Sequence, residues 1–235
     1  MAQQVNLRPF YWALGLLAVA GGAWIWSQAN RGNVAMYSQP VPASDTAGAA
    51  GFHGYVKGSD SAAIVVHEYA DFTCPVCGRF AVLTFPDIET RLIQTGKVQW
   101  RFHDRPLGTS NPEHEFTYVA SHAAACAGEQ DRFWEMEYQL FNNQSAWAWR
   151  PGRNPEGDFR DYARAIGLDL VRYNDCMKTG RYRARIQAEE RAAEAMAISS
   201  TPTFIIGDLR IPGAVTYDEF KRVIDSVSAR AARPK

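Results

Sequence analysis

The sequence predicts an α/β domain whose single sheet is interrupted by a long block of helices. Three features support this: a strand, helix and strand in the first part, a stretch of about eighty residues without a convincing strand, and a closing hairpin followed by a helix. The predicted order is β-α-β, helical insertion, β-β-α. We expect the first two main strands to be parallel, with the intervening helix packed on one face of the sheet. A sheet completed only after such an insertion narrows the choice of fold considerably.

Length and composition fit one domain with appendages. The chain has 235 residues, of which 25 are basic, 25 are acidic and 46% are hydrophobic. The balanced charge gives no support for a nucleic-acid partner, and the hydrophobic content is ordinary for a chain with a buried core. We expect the folded domain to occupy residues 52–228.

Residues 1–31 are expected to lie outside that core as an N-terminal membrane anchor. Residues 10–26 contain no charged side chain and are rich in Leu, Ala and Trp. This length is at the short end for a membrane span, and the small residues at 27–29 would also suit cleavage of a signal peptide. Trp24 and Trp26 are typical of the aromatic belt of a membrane interface, which favours an uncleaved signal-anchor. In either case the remaining chain is expected to be exported.

Two further segments are expected to lack regular structure. Residues 32–51 combine prolines with small and polar residues, which predicts a flexible tether between the membrane and the domain. Residues 229–235 are predicted to be a polar, frayed tail.

The first half of the domain contains a Cys-x-x-Cys motif at Cys74 and Cys77. It follows a β-branched, apolar run at 64–69 that predicts a buried strand, and a shorter strand is predicted at 52–57. The motif opens a predicted helix, and Pro75 suits the first helical position, where its missing N–H costs nothing. At a helix N-terminus the first sulfur lies near unpaired N–H groups and the positive end of the helix dipole, which favours a thiolate.

Two other interpretations of the motif are weaker. Half of a zinc site would need two more ligands at matching spacing, and the sequence has no second Cys-x-x-Cys and no His-x-x-x-His. A purely structural bridge of this span would close a very short loop and would stabilise little. The strand-turn-helix context therefore favours a redox pair.

The remaining elements follow in order. The helix after the motif is expected to kink at Pro86 and to end at Gly96, before a second strand at 98–103. The helical insertion is predicted at about 110–198. A hairpin with a two-residue turn follows at 203–211, and Thr216 with Glu219 forms a predicted capping box for a final helix through Val227.

Export also affects how the four cysteines are interpreted. Disulfides persist outside the cytoplasm, so the cysteines are expected to form two pairs, Cys74–Cys77 and Cys126–Cys176. The second pair would close a loop of about fifty residues and add about 3–4 kcal/mol of stability. An alternative is a second redox pair that relays electrons from Cys77, although neither Cys126 nor Cys176 has a motif context.

Taken together, the chain resembles the DsbA-like thiol:disulfide oxidoreductases, which have a thioredoxin fold with a helical insertion. The resemblance covers roughly residues 55–227. It rests on the strand with Cys74-Pro75-Val76-Cys77, on Ala125-Cys126-Ala127-Gly128-Glu129-Gln130 with Phe133-Trp134, on Thr201-Pro202-Thr203, and on the closing helix. It implies that Cys74 is an exposed nucleophile, that Cys77 is its buried partner, and that Pro202, preceded by Thr201, is a cis-proline facing the disulfide.

The family often keeps a buried acid six residues before the first cysteine, and Glu68 occupies that position. Strand alternation places Glu68 on the same face as Val66 and Ala70, so we expect it to be buried. Burial would raise its pKa and let it exchange a proton with Cys77. The alternative is a solvent-facing Glu68 on a half-exposed strand.

One residue departs from the family pattern. Val76 lies where strongly oxidising members often carry histidine. Valine offers the thiolate neither a positive charge nor a hydrogen-bond donor, so the reduced form gains less stabilisation. We therefore expect a weaker oxidant than the histidine-bearing relatives.

The resemblance implies an enzyme without a cofactor that forms disulfides in exported proteins. It implies a single-pass protein of a bacterial inner membrane, with the domain on the periplasmic side and a quinone-linked membrane protein as the redox partner. Two alternatives stay open at this point. One is a disulfide reductase or isomerase of the same fold, and the other is a non-catalytic module that uses the thiols for metal delivery or serves as a chaperone.

Overall fold

A computed structural model describes residues 8, 11–12, 14–25, 51–107, 116–150 and 152–231. Its sheet has five strands in the order β1-β3-β2-β4-β5. The strands are β1 Tyr55–Lys57, β2 Ile64–Ala70, β3 Val98–Asp104, β4 Thr203–Ile206 and β5 Leu209–Pro212. All the strands predicted from the sequence are present, and β1 is shorter than the predicted 52–57.

Strand pairing brings together the parts of the domain that come before and after the helical insertion. β2 and β3 are parallel, with Ile64 opposite Val98, which confirms the predicted β-α-β unit. β4 lies antiparallel on the other side of β2, with Glu68 opposite Phe204. The strand that leads into the Cys-x-x-Cys motif, β2, is therefore the central strand of the sheet. Its neighbour β4 starts beside the motif because antiparallel pairing places the beginning of β4 next to the end of β2.

The helical run after β2 has three parts. They are α1 Pro75–Leu83, α2 Phe85–Ile88 and a π-helical turn, Glu89–Ile93. Instead of the kink expected at Pro86, the helix is interrupted two residues earlier, at Thr84, which has φ −114° and separates the two α-helices. Pro86 lies in the first turn of α2, where a missing N–H is tolerated. Gly96 ends the run with φ 74°, a left-handed conformation that glycine adopts without strain.

The described part of the insertion between β3 and β4 contains helices joined by turns and loops, and no strand. Its helices are α3 Thr117–Gly128, α4 Phe133–Asn142, α5 Gln144–Trp147, α6 Glu156–Ala165, α7 Leu170–Thr179 and α8 Arg183–Ala195. The predicted insertion is thus confirmed in its described part. One apolar core joins these helices to Phe72, Phe102 and the two motif cysteines. A second core lies between the sheet, α1 and the last helix. The motif therefore lies where the insertion meets the sheet.

The closing elements agree with the prediction in type. β4 and β5 form a hairpin, and the Thr216 hydroxyl accepts from the Glu219 N–H at 3.3 Å while the Glu219 carboxylate accepts from the Thr216 N–H at 2.9 Å. The final helix, α9, runs over Tyr217–Ala231 and so extends past the expected end at Val227. Part of the predicted tail is therefore helical, with Arg230 3.8 Å from Asp208 of the hairpin turn.

The N-terminal segment is described in part. Residues 14–25 are helical, and apolar side chains such as Leu17 and Trp24 are exposed. Among the described residues, none of the helices combines the length and apolar character needed to span a bilayer. The predicted tether at 32–51 lies outside the described residues except for Gly51, and the anchor stays a prediction.

Cys126 of α3 and Cys176 of α7 are joined by a disulfide, the pair expected from the sequence. Both residues are fully buried, and their Cα atoms are 5.8 Å apart. His122 packs against the bridge, with its Nε2 3.9 Å from the sulfur of Cys176. The bridge thus connects the two halves of the insertion deep in its core.

Removing this bridge should destabilise the insertion without altering the motif. Replacing both Cys126 and Cys176 by alanine opens a loop of 50 residues, and the chain-entropy relation predicts a loss of about 3–4 kcal/mol in the free energy of unfolding. Urea unfolding monitored by circular dichroism measures this loss. Cys74→Ala with Cys77→Ala is the matched control and should lose much less. Equal losses in the two double variants would contradict a structural role for the bridge.

Candidate active site

The motif occupies the junction of β2 and α1. Cys74 is the N-cap residue of α1, with φ −70° and ψ 120°, and Pro75 is the first helical residue, as predicted. The Cys74 carbonyl accepts the first helical hydrogen bond, from the N–H of Gly78 at 3.1 Å. The Cys74 sulfur therefore lies at the positive end of the helix, close to N–H groups that have no partner within the helix.

The two sulfurs differ in burial and are not bonded to each other in this structure. Cys77 is fully buried, as expected, whereas Cys74 is only 6% exposed. The prediction that Cys74 is exposed is therefore wrong. Cys74 is the outer sulfur of the pair, but it is covered by the loop before β4, and its thiol donates to the carbonyl of Thr201 at 3.4 Å.

The environment separates the pKa values of the two thiols. The pKa of Cys74 is lowered to about 6, chiefly by a hydrogen bond from the Cys77 thiol, with smaller contributions from Thr201 and from the backbone N–H groups of Val76 and Cys77, while burial opposes the shift. Burial raises the pKa of Cys77 well above its usual range, and the hydrogen bond to Cys74 adds to the increase. At neutral pH a single proton shared by the pair therefore resides on Cys77.

The loop that faces the motif contains the cis peptide bond Thr201–Pro202, at the position predicted for a cis-proline. The carbonyl of Pro202 accepts from the N–H of Gly213 at 2.7 Å, which ties the loop to the end of the β4–β5 hairpin. The hydroxyl of Thr201 is buried beside the two sulfurs, and its hydrogen bonding lowers the pKa of both thiols.

Glu68 is buried in β2, as the strand alternation predicts. It is 3% exposed, and the indole N–H of Trp100 donates to its carboxyl at 2.9 Å. Burial raises the pKa of Glu68 to about 7, an increase that the Trp100 hydrogen bond partly offsets. The carboxyl can therefore gain and lose a proton near neutral pH, and its exchange with Cys77 stays a prediction.

Two residues of the site were not found from the sequence. Asp71 precedes the motif and is 1% exposed, with its carboxylate bound to Thr73 and Thr117. Gln144 of α5 donates from its side-chain amide to the carbonyls of Phe72 at 2.7 Å and Cys74 at 2.9 Å.

The two omissions differ in the signal that the sequence offered. Asp71 lies between the apolar residues Ala70 and Phe72, and an acid within a buried run is a visible cue. Gln144 has no such cue, because its contact spans seventy residues along the chain. Gly78 belongs to the same arrangement, since a Cβ there would lie 2.5 Å from the side-chain oxygen of Gln144.

An apolar surface lies next to Cys74. A cavity of about 310 Å³ opens between α1 and the end of the α4–α5 region, and its lining includes Pro75, Leu83, Phe141 and Trp149. Leu83 is 72% exposed and Trp149 is 40% exposed. Trp147 does not contribute, because it is buried and donates its indole N–H to the carbonyl of Leu140.

Sequence comparisons place the domain among known proteins. A family model described as thioredoxin matches residues 53–226. Disulfide bond formation protein D of Bacillus subtilis is 28% identical over 180 residues, which cover 72% of this chain and 75% of that protein. The Na⁺/H⁺ antiporter NhaA 3 of Salinispora tropica is 31% identical over 177 residues, 75% of this chain but 25% of the antiporter. The chain thus spans about a quarter of the length of the antiporters it matches, so their name describes much longer proteins.

Structural comparisons agree on the fold. BdbD of Bacillus subtilis, in its oxidised form, superposes with a TM-score of 0.64 at 24% identity, covering 73% of this chain and 90% of that one. The α-DsbA1 protein of Wolbachia pipientis gives a TM-score of 0.64 at 21% identity, covering 82% and 94%. DsbA of Chlamydia trachomatis gives 0.64 at 17% identity, covering 77% and 94%. All three therefore share the fold of this chain.

The low pKa of Cys74 should depend on the Cys77 thiol. In a Cys77→Ala variant the main hydrogen-bond donor is lost, so the pKa of Cys74 should rise from about 6 toward that of an ordinary cysteine. The pH dependence of the iodoacetamide reaction rate measures this shift. Cys77→Ser keeps a donor at the same place and should show a smaller rise, whereas equal pKa values in both variants and the native protein would contradict the assignment.

Glu68 should make the protein less stable as the pH rises. Its pKa in the folded state, about 7, lies above the usual value of 4.5, so the folded protein binds the proton more tightly and loses stability between pH 4.5 and 7. Glu68→Gln keeps an acceptor for Trp100 and should be more stable at pH 8 by about 2–3 kcal/mol, with little difference at pH 4. Urea unfolding at both values tests this, and a difference independent of pH would show that Glu68 does not titrate as stated.

Proposed function

The chain belongs to the thioredoxin family and carries the redox motif and helical insertion of its DsbA-like thiol:disulfide oxidoreductases, and on this premise we propose that it forms disulfide bonds in exported proteins. The observation that carries the proposal is the opposite shift of the two thiols in one motif, with the pKa of Cys74 lowered to about 6 and that of Cys77 raised. A stabilised Cys74 thiolate is a good leaving group in thiol-disulfide exchange.

The reaction proceeds through two exchanges. A substrate thiolate attacks the Cys74 sulfur of the disulfide form, the Cys74–Cys77 bond breaks, and Cys77 leaves with the electron pair and takes up a proton. A second substrate thiolate then attacks the substrate sulfur of the mixed disulfide, and Cys74 leaves as a thiolate. In forming its disulfide a substrate dithiol gives two electrons to the enzyme pair and loses two protons. One proton ends on Cys77 and the other is released to solvent, which leaves Cys74 as the thiolate.

Burial supports the roles that we propose for the two cysteines in this reaction. Cys77 is fully enclosed, whereas Cys74 lies at the outer end of the motif and is 6% exposed, so Cys74 is the sulfur that we propose an incoming thiolate attacks. Glu68 is the group that we propose as proton donor to the departing Cys77, because its pKa of about 7 keeps a large fraction of it protonated at neutral pH. The loop with Thr201 and Pro202 would bind the substrate backbone beside the mixed disulfide.

Unfolded polypeptide is the substrate class that the surface favours. The cavity beside Pro75 is lined mainly by apolar groups, and Leu83 and Trp149 are exposed at its rim. Apolar side chains exposed before folding would bury area against these groups. A shallow apolar surface sets no strict sequence requirement, which suits an enzyme that acts on many proteins.

We propose an extracytoplasmic location, with the N-terminal segment as a single-pass anchor in a bacterial inner membrane. The support is the uncharged run at 10–26 and the exposed apolar side chains of residues 14–25. The Cys126–Cys176 disulfide also suits an oxidising compartment. Reoxidation of the reduced enzyme by a quinone-linked membrane protein completes the proposed cycle.

A reductase of the same fold is the second candidate, and Val76 is the observation that favours it. The residue before Cys77 offers the thiolate no side-chain donor, so within the described part of the chain the reduced form is stabilised by Cys77, Thr201 and backbone N–H groups. A pair that stabilises its thiolate less is a weaker oxidant.

The equilibrium potential of the Cys74–Cys77 pair against glutathione buffers separates the two directions. We expect a value nearer to that of DsbA, about −120 mV, than to that of thioredoxin, about −270 mV. A value near thioredoxin's would contradict the oxidase and support the reductase. Metal bound at a fixed ratio to the reduced protein, without turnover of a dithiol peptide, would instead indicate metal delivery.

The matched variant is Val76→His, which adds the missing donor. It should lower the pKa of Cys74 and raise the potential, because both measure the stability of the same thiolate. Val76→Thr, similar in size to valine, serves as a control for packing. A Val76→His variant with an unchanged pKa of Cys74 would contradict the expectation that residue 76 weakens the oxidant.

A further inference from the structure

Asp71 is a buried acid that the exchange reaction does not use. It is 1% exposed and lies three residues before Cys74. One carboxylate oxygen accepts from the N–H and the hydroxyl of Thr73, both at 2.7 Å, and from the hydroxyl of Thr117 at 2.7 Å. The other oxygen accepts from the N–H of Leu107 at 2.9 Å. Such a set of short bonds holds a buried carboxylate in one position.

These four bonds connect three segments that are distant along the chain. Thr73 belongs to the turn that carries the motif, Leu107 follows β3, and Thr117 is the first residue of α3. Thr73 and Thr117 are both fully buried. The Asp71 side chain is therefore the point at which the start of the helical insertion is fastened to the redox turn.

The backbone of Asp71 reaches both cysteines. Its carbonyl accepts from the N–H of Cys74 at 3.0 Å. Its backbone also hydrogen-bonds the Cys77 sulfur, an interaction that lowers the pKa of Cys77 against the larger increase caused by burial. Any displacement of Asp71 would therefore change the surroundings of the two sulfurs together.

We propose that Asp71 is a positioning residue, which sets the redox equilibrium of the Cys74–Cys77 pair by fastening the motif turn to Thr117 at the start of the insertion. The inference rests on the proposed function in one respect: the redox equilibrium of the pair matters only if the pair exchanges disulfides. In this arrangement the insertion has a second role besides covering the site. Thr117 of its first helix, α3, holds Asp71, and the backbone of Asp71 contacts both cysteines.

If Asp71 acts through position, its replacement should change the pKa of Cys74 in one direction; if it acts only through its charge, the change should be in the opposite direction. A carboxylate acting only through its charge would disfavour the nearby thiolate, so its removal would lower the pKa of Cys74. A carboxylate acting through position keeps the Cys77 thiol directed at Cys74, so its removal would raise the pKa of Cys74. Thr117→Val offers a further separation, because it removes one bond to the insertion and leaves the charge of Asp71 in place.

The experiment uses the full-length protein with Asp71→Asn and Thr117→Val, and with Thr117→Ser as the conservative variant. Thiolate absorbance during pH titration measures the pKa of Cys74, and glutathione equilibration measures the redox equilibrium. Asp71→Asn and Thr117→Val should raise the pKa of Cys74 by about half a unit or more and shift the pair about threefold toward the disulfide. Thr117→Ser, which keeps the hydroxyl, should restore native values.

Several results would overturn the inference. A lower melting temperature with an unchanged pKa of Cys74 would show a merely structural role. A fall of that pKa in Asp71→Asn, with no change in Thr117→Val, would show a charge effect. If Asp71→Asn does not fold, the comparison of Thr117→Val with Thr117→Ser tests the inference alone. A native protein that fails to exchange with glutathione would refute the proposed function, while the absorbance titration still tests the positioning of Cys74.

Discussion

The Cys77 thiol can stabilise a thiolate on Cys74 only while both sulfurs are held at the first turn of α1. Hydrogen bonding falls off steeply with distance and angle, so small movements of the turn would remove much of the stabilisation. Several features of the fold serve this requirement. Pro75 fixes the start of the helix, and Gly78 leaves the space that the Gln144 side chain occupies. The amide of Gln144 then binds the carbonyls of Phe72 and Cys74.

The insertion supplies these contacts from outside the sheet, so its own placement must be specific. Arg185 of α8 is buried and lies 3.2 Å from the carboxylate of Asp104 at the end of β3. The rings of Phe52 and Tyr55 lie 4.1 Å and 4.8 Å from its guanidinium group. A buried ion pair contributes little net stability but allows few alternative arrangements. Together with the bridge between α3 and α7, it fixes the helices against the strands.

Local sequence patterns were sufficient to predict the elements of this fold. Alternation and β-branched runs indicate β2 and β3, and the Gly207-Asp208 turn and the Thr216–Glu219 capping box mark the closing elements. These signals depend on residues close together along the chain. The extension of α9 to Ala231 was not predicted, because polar residues in an exposed last turn carry little periodic signal.

The residues of the site can be separated in the same way, into those that a local pattern predicts and those that depend on contacts distant along the chain. Cys74, Cys77 and Glu68 belong to one strand-turn-helix unit, which a local motif reveals. Gln144 and Thr117 contact that unit from distant parts of the chain, and nothing in their neighbours along the sequence indicates the contact. The low exposure of Cys74 was missed for a similar reason, since the Thr201 loop that covers it is 127 residues away.

The same burial that enables the chemistry also carries a cost in stability. Burial raises the pKa of Cys77, so Cys77 stays protonated while Cys74 is a thiolate. Burial also raises the pKa of Glu68 to about 7. Both groups have lower pKa values in the unfolded chain, so the free energy of unfolding falls as the pH rises and these groups ionise. The apolar surroundings cannot be made more polar without bringing the two thiol pKa values together. The site therefore keeps two titratable groups buried, and the packing of the insertion against the sheet has to offset the stability that they cost.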